Sequence, residues 1–156
     1  GVSDFCKDYR TEGLIIYYTL ETSIRIWMTM LYEELSSKIL KAYFTVLRNL
    51  GTVLLESVYE NALCIELDEL RIPYERQKHI NVIYKGHDIG DFIADIVVDD
   101  KIILELKAVT KLSPAHSAQL INYLAITQLQ VVLLLNFGEG RDYKRVFFNP
   151  QSPSVV

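Results

Sequence analysis

Phe92-Ile93-Ala94-Asp95-Ile96-Val97-Val98-Asp99-Asp100-Lys101-Ile102-Ile103-Leu104-Glu105-Leu106-Lys107-Ala108 is the stretch that decides the fold. Two apolar runs of strand length flank a short polar loop, which reads as an antiparallel pair of β-strands. Alternation puts Phe92, Ala94, Ile96 and Val98 on one face of the first strand, and Ile102, Leu104, Leu106 and Ala108 on one face of the second. All of these are apolar, so that face is expected to be core. The opposite face carries Ile93, Asp95, Val97, Ile103, Glu105 and Lys107. Two carboxylates and an ammonium thus fall within strands that otherwise look buried, where a charge needs a compensating partner.

Register brings the carboxylates together. With a three-residue loop, 99–101, position i faces position 200 − i, and Asp95 lies opposite Glu105 with side chains about 5 Å apart. A two-residue loop would set Asp95 against Leu104 and turn a carboxylate onto the apolar face, so the hydrophobic pattern selects the odd-length loop. Two carboxylates this close repel, and one pKa rises unless a cation sits between them. Lys107, two residues beyond Glu105 on the same face, is one candidate cation. A hard divalent metal bound by carboxylate oxygens is the other.

Around this pair the chain reads as a mixed sheet with helices packed on it. Leu35, Ile39, Tyr43, Val46, Leu47 and Leu50 recur at three- and four-residue steps and predict an amphipathic helix closed by Asn49 and Gly51. A second helix carries Leu55, Val58, Tyr59, Ala62, Leu63, Leu67 and Leu70 on one side and ends before Pro73. His79 to Tyr84 reads as a strand leading into a Lys85-Gly86-His87-Asp88 turn. Ser113-Pro114 offers an N-cap hydroxyl and a first-turn proline for a helix running to about Thr127. Val131 to Leu135 is an unbroken apolar run, as expected of a strand covered on both faces and reached by a helical crossover. A last short strand spans Lys144 to Phe148.

Composition narrows the classes of function. The 156 residues hold 16 Lys and Arg against 20 Asp and Glu, a formal charge of −4, which argues against gripping a polyanion by bulk electrostatics. The charge is uneven, however. Residues 30–75 carry 4 basic and 8 acidic side chains, whereas residues 76–156 carry 9 and 8. A divalent ion on Asp95 and Glu105 would take the second segment from +1 to +3. Two cysteines, Cys6 and Cys64, are too few for a four-thiolate metal centre or a disulfide scaffold, and Cys64 reads as a small buried hydrophobe. No stretch matches a membrane span or a secretory leader, so a cytoplasmic setting is expected.

Leu54-Leu55-Glu56-Ser57-Val58-Tyr59-Glu60, Tyr84-Lys85-Gly86, Ala94-Asp95, Glu105-Leu106-Lys107-Ala108-Val109, Gln119-Leu120-Ile121-Asn122-Tyr123-Leu124 and Leu135-Asn136-Phe137-Gly138 occur in this order. Together they resemble the PD-(D/E)XK nuclease superfamily and, within it, the GxxExxR family, over about Met30 to Pro150. The resemblance implies an α/β, restriction-endonuclease-like αβββαβ core, a mixed β-sheet flanked by helices. It divides the chain into an extension (1–29), a nuclease-like domain (30–150) and a tail (151–156). It further implies that Asp95 and Glu105 ligate magnesium, with manganese as a substitute, and that Lys107 orients or activates the attacking water. Glu56 would be a further acidic contributor to the metal. Gln119 and Tyr123 match the Q-x-x-x-Y element of the RecB-like and λ-exonuclease-like branch and would help hold substrate. Their i, i+4 spacing places both on one helix face. The expected partner is nucleic acid, DNA before RNA, with no membrane.

Three departures stand out: Ala94 replaces the superfamily's proline, Val53 stands where relatives carry glycine, and Tyr59 takes the place of the family name's arginine. Only Glu56 is therefore carried over from that motif. The rival reading is a catalytically weak or inactive nuclease-fold module that binds or regulates. His116, the third residue of its helix, reads as a helix-start residue before a catalytic one.

Overall fold

Helix α1, Glu33–Leu50, buries Ile39, Ala42, Tyr43, Val46 and Leu47 along one stripe, the expected three- and four-residue spacing. It stops at Gly51, which takes φ +72° and returns its N–H to the Leu47 carbonyl at 2.9 Å. The computed structural model describes residues 23, 26–27, 30–127, 129 and 131–147, the side chains of 119, 122–123 and 125–127 excepted. The sheet lies within residues 34–156, which group as one compact unit. Helix α2, Glu56–Glu69, buries Tyr59, Glu60, Leu63, Cys64 and Leu67. No helix among the described residues is long and apolar enough to cross a membrane.

Five strands follow in the spatial order β1-β2-β3-β4-β5: Tyr74–Tyr84, His87–Val98, Ile102–Lys107, Val131–Asn136 and Tyr143–Phe147. Neighbours are antiparallel except β3 and β4, which run parallel and are joined through helix α3, Pro114–Thr127. Two helices ahead of a mixed five-stranded sheet, with a crossover helix inside it, form the expected α/β, restriction-endonuclease-like arrangement.

The sheet is covered on both faces where β3 and β4 cross it. Val97, Ile103, Val132, Leu134 and Val146 pack with Leu120 and Leu124 of α3. The alternate residues, Ile96, Val98, Ile102, Leu104 and Leu133, point the other way and are as fully buried, and α2 packs against β3. Tyr59 of α2 stacks on Phe137 at 4.7 Å, and Tyr43 of α1 meets the same ring edge-on at 4.9 Å.

Leu50, Leu55, Val58 and Leu70, expected on the packed sides of the helices, are exposed at the helix ends and on α2, and three further details differ from the sequence-based expectation. First, β1 begins at Tyr74 rather than His79. It is an edge strand whose Glu75, Arg76 and Gln77 face solvent, so its opening residues carry no hydrophobic signal. Second, the β1–β2 turn is only two residues, Lys85 and Gly86, with φ +48° and +79°. Positive φ at both central positions is the backbone form that matches strand twist in a tight hairpin, and His87 and Asp88 are already in β2.

Third, Phe92 and Ala94 do not share a face with Ile96 and Val98. They pack instead with Val97 and Ile103 against α3. The switch coincides with a break in the ladder. Arg76 pairs with Ile96 and Lys78 with Ala94, but the intervening Gln77 and Asp95 do not pair. Gln77 lies in the left-handed region at φ +48°, which interrupts the alternation on which the face assignment depends.

Candidate functional site

The β2–β3 ladder runs through Val98↔Ile102, Val97↔Ile103 and Ile96↔Leu104, so each pair of residue numbers sums to 200 around the loop 99–101, as the hydrophobic pattern predicts. The next step puts Asp95 opposite Glu105. Here side chains take over from backbone. The Asp95 N–H donates to Glu105 Oε1 at 3.4 Å, and the Leu106 N–H donates to Asp95 Oδ2 at 2.8 Å. The two carboxylates therefore meet where the strands part, each occupied by an amide of the other strand.

Glu105 is 9 % exposed and Asp95 half-buried. Burial pushes the Glu105 carboxyl up to about 8, the neighbouring Asp95 carboxylate adds to the rise, and the Lys107 ammonium opposes it. Lys107 is half-buried at the end of β3, beside Asn136 of β4 in the parallel register.

The setting of Lys107 is held by Asn136, which is fully buried. Its Oδ1 accepts the N–H groups of Val109 and Gly138 at 3.0 and 2.9 Å. Its Nδ2 donates to the Val109 carbonyl at 2.9 Å and to Asp142 Oδ1 at 2.7 Å. Both donors and both acceptor positions of the amide are filled. Phe137 N–H adds a bond to the Lys107 carbonyl at 2.7 Å, and the Tyr43 hydroxyl donates to the Asn136 carbonyl. Burial acts to raise the Asp142 carboxyl, but hydrogen bonds from Asn136 and from the Leu112 N–H outweigh it and hold the group below the usual carboxylate range. Gly138 completes the clasp by close approach, since a Cβ there would lie 1.9 Å from the Val109 carbonyl oxygen.

A magnesium ion suits this donor set. Magnesium takes one or two hard carboxylates from the protein and completes its octahedron with water and phosphate oxygens. Asp95 and Glu105 are two such groups, crowded and short of positive charge. Among the described residues no group of three or more His, Cys, Asp or Glu side chains is arranged around a common metal position, so water and substrate would fill the remaining positions.

The other expected residues are placed as follows. Glu56 is the exposed first residue of α2. The buried carboxylate of that helix is Glu60, one turn later, which accepts Arg76 Nε and Gln77 Nε2, each at 3.0 Å. Glu60 shares the stripe of Leu63 and Leu67, a spacing legible in the sequence. Gln119 and Tyr123 lie on α3, but their side chains fall outside the described residues. His116 accepts the Ser113 N–H at Nδ1 at 2.9 Å, which closes the first turn of α3 in the manner of a capping box.

No curated protein matches the chain in sequence. A family model described as the PD-(D/E)XK nuclease superfamily matches residues 33–146. That match runs from the start of α1 into β5 and takes in Asp95, Glu105, Lys107 and the Asn136 clasp, and the chain belongs to the PD-(D/E)XK nuclease superfamily.

Proposed function

We propose that the protein is a magnesium-dependent nuclease that hydrolyses phosphodiester bonds of nucleic acid, with DNA as the substrate class. The observation that carries this reading is the meeting of Asp95 and Glu105 at the open end of the β2–β3 ladder, with Lys107 two residues on. A bound magnesium ion supplies charge neutralisation at the phosphate and a water of lowered pKa. Asp95 and Glu105 provide its oxygens, and the amides of Asp95 and Leu106 orient them. Lys107, fixed at its backbone by Phe137, places an ammonium beside Glu105, where it orients the attacking water and balances charge at the phosphate. Glu56, as an outer acidic contributor, and Gln119 and Tyr123, as substrate contacts, complete the proposal on the strength of the family pattern. The cytoplasm is the proposed compartment, in keeping with the low cysteine content.

The test is a panel of single-stranded, double-stranded and branched DNA and of RNA, incubated with the purified protein and magnesium or manganese. Cleavage of at least one DNA form is expected, and Asp95→Ala should abolish it. Cleavage that survives Asp95→Ala, or that proceeds equally with the metal chelated, overturns the assignment. Magnesium binding that depends on Asp95 and Glu105, without cleavage of any substrate, would instead select the binding-module reading.

A further inference from the structure

Gln77 and Glu60 take no part in the proposed reaction, and they meet at the step of the β1–β2 ladder that faces Asp95. On either side of Gln77 the β1–β2 register is the same: Arg76 faces Ile96, and Lys78 faces Ala94. No residue has been gained or lost, yet the pair between them, Gln77 and Asp95, is missing from the ladder. Gln77 sits at φ +48°, a conformation that a non-glycine residue adopts at a cost and keeps only when its surroundings impose it.

The imposing group is the Glu60 carboxylate. In a regular strand, consecutive side chains point to opposite faces. Arg76 and Gln77 nevertheless both reach the same carboxylate, Arg76 Nε donating to Glu60 Oε1 and Gln77 Nε2 to Glu60 Oε2, each at 3.0 Å. The reversal of the backbone at Gln77 lets neighbouring side chains converge in this way. Glu60 is held in helix α2 and is 9 % exposed, so the carboxylate is an anchored, largely dry acceptor.

The consequence falls on Asp95. Unpaired from β1, it turns its N–H to Glu105 Oε1 and its carboxylate to the Leu106 N–H. The same break carries Phe92 and Ala94 over to the α3 face with Val97. We propose that Glu60 and Gln77 are positioning residues: by gripping β1 from α2 they hold the ladder open at one step, and this frees Asp95 to face Glu105. The inference rests on the metal-site reading above for its functional consequence, and on the strand geometry alone for its structural part.

Gln77→Val is the main test, in the full-length protein. A β-branched residue resists positive φ and has no group for Glu60, so the ladder should close. Cross-strand nuclear Overhauser contacts between the backbones of residue 77 and Asp95, absent in the wild type, should appear. Magnesium affinity by titration calorimetry should fall ~10-fold or more, the loss typical when a group that orients a ligand is removed. Gln77→Gly tolerates the left-handed backbone but offers Glu60 no group, so it should bind magnesium more tightly than Gln77→Val and less tightly than the wild type. Glu60→Gln, which leaves the sequence of β1 unchanged, should weaken binding in the same direction and serves if Gln77→Val does not fold; wild-type magnesium affinity in Glu60→Gln would then overturn the inference. The inference is overturned if the cross-strand contacts do not appear in Gln77→Val, or if they appear and magnesium affinity stays at the wild-type value. A wild-type protein that binds no magnesium refutes the metal reading instead, and the cross-strand contacts still decide whether Gln77 holds the break.

Discussion

Replacing Asn136 by alanine removes four hydrogen bonds from a side chain that no solvent reaches, those to the Val109 N–H and carbonyl, the Gly138 N–H and Asp142. Each bond is worth about 1 kcal/mol net. Val109 and Asp142 are half-buried and can recover water, but the Gly138 N–H is buried and would be stranded, which adds roughly 1–2 kcal/mol. The expected loss is therefore about 5–6 kcal/mol, a large share of the ~5–15 kcal/mol that holds a domain folded. Equilibrium urea unfolding reads it directly: with a slope near 2 kcal/mol/M, the midpoint should drop by about 2–3 M. Asn136→Asp is the companion variant. It preserves shape, but its ionised form cannot donate to the Val109 carbonyl and sets a second negative charge against Asp142. It should be more destabilising at pH 7 than at pH 4, where a protonated carboxyl regains a donor. A loss below about 1 kcal/mol for Asn136→Ala would show that water replaces the clasp, and would refute its role in fixing the end of β3.

Two further outcomes follow from the same geometry. Glu105 has its folded-state pKa raised to about 8 by burial and by Asp95, so its contribution to stability is fully present below the unfolded value, near 4.5, and is lost as pH rises through 8. In chelator, the wild type should lose stability relative to Glu105→Gln between pH 5 and pH 8, whereas saturating magnesium should stabilise the wild type increasingly as pH rises; a difference between the two proteins that is flat with pH contradicts the assignment. Gly138→Ala should cost roughly 3 kcal/mol or more, because its Cβ would fall 1.9 Å from the Val109 oxygen, while Gly90→Ala, whose nearest neighbour would be Val82 Cβ at 4.0 Å, should unfold close to the wild-type urea concentration.

The site's central geometry was legible because one apolar pattern permits one register. Ile96, Val98, Ile102 and Leu104 cannot all be buried with a two-residue loop, and the three-residue loop brings Asp95 to Glu105. The Val131 run and Ser113-Pro114 announced β4 and α3 for equally local reasons. What stayed hidden depends on partners far along the chain. Glutamine has no preference for positive φ, so nothing at Gln77 signals a break that Glu60 imposes from another element. The face switch at Phe92 and Ala94 follows from that break and not from alternation. Asn136 reads as the polar end of a strand until Val109 and Asp142 are placed around it. Glu60 sits on an apolar stripe, and a carboxylate there looks like an interruption rather than an anchor until Arg76 is seen across from it.

The three-residue turn between β2 and β3 has a consequence for chain entropy. Asp95 and Glu105 are ten residues apart, so bringing them together closes a short loop. Seating Lys107 beside Asn136 spans 29 residues and requires the whole α3 crossover to be in place. The closure penalty grows only logarithmically with loop length, but the longer loop also needs a helix docked on the sheet before any pairing is gained. The acidic pair thus needs the short β2–β3 hairpin and the grip of α2 on β1, and the setting of the lysine needs the α3 crossover as well. Lesions in α3 or β4 should disorder the ammonium while leaving the acidic pair able to form.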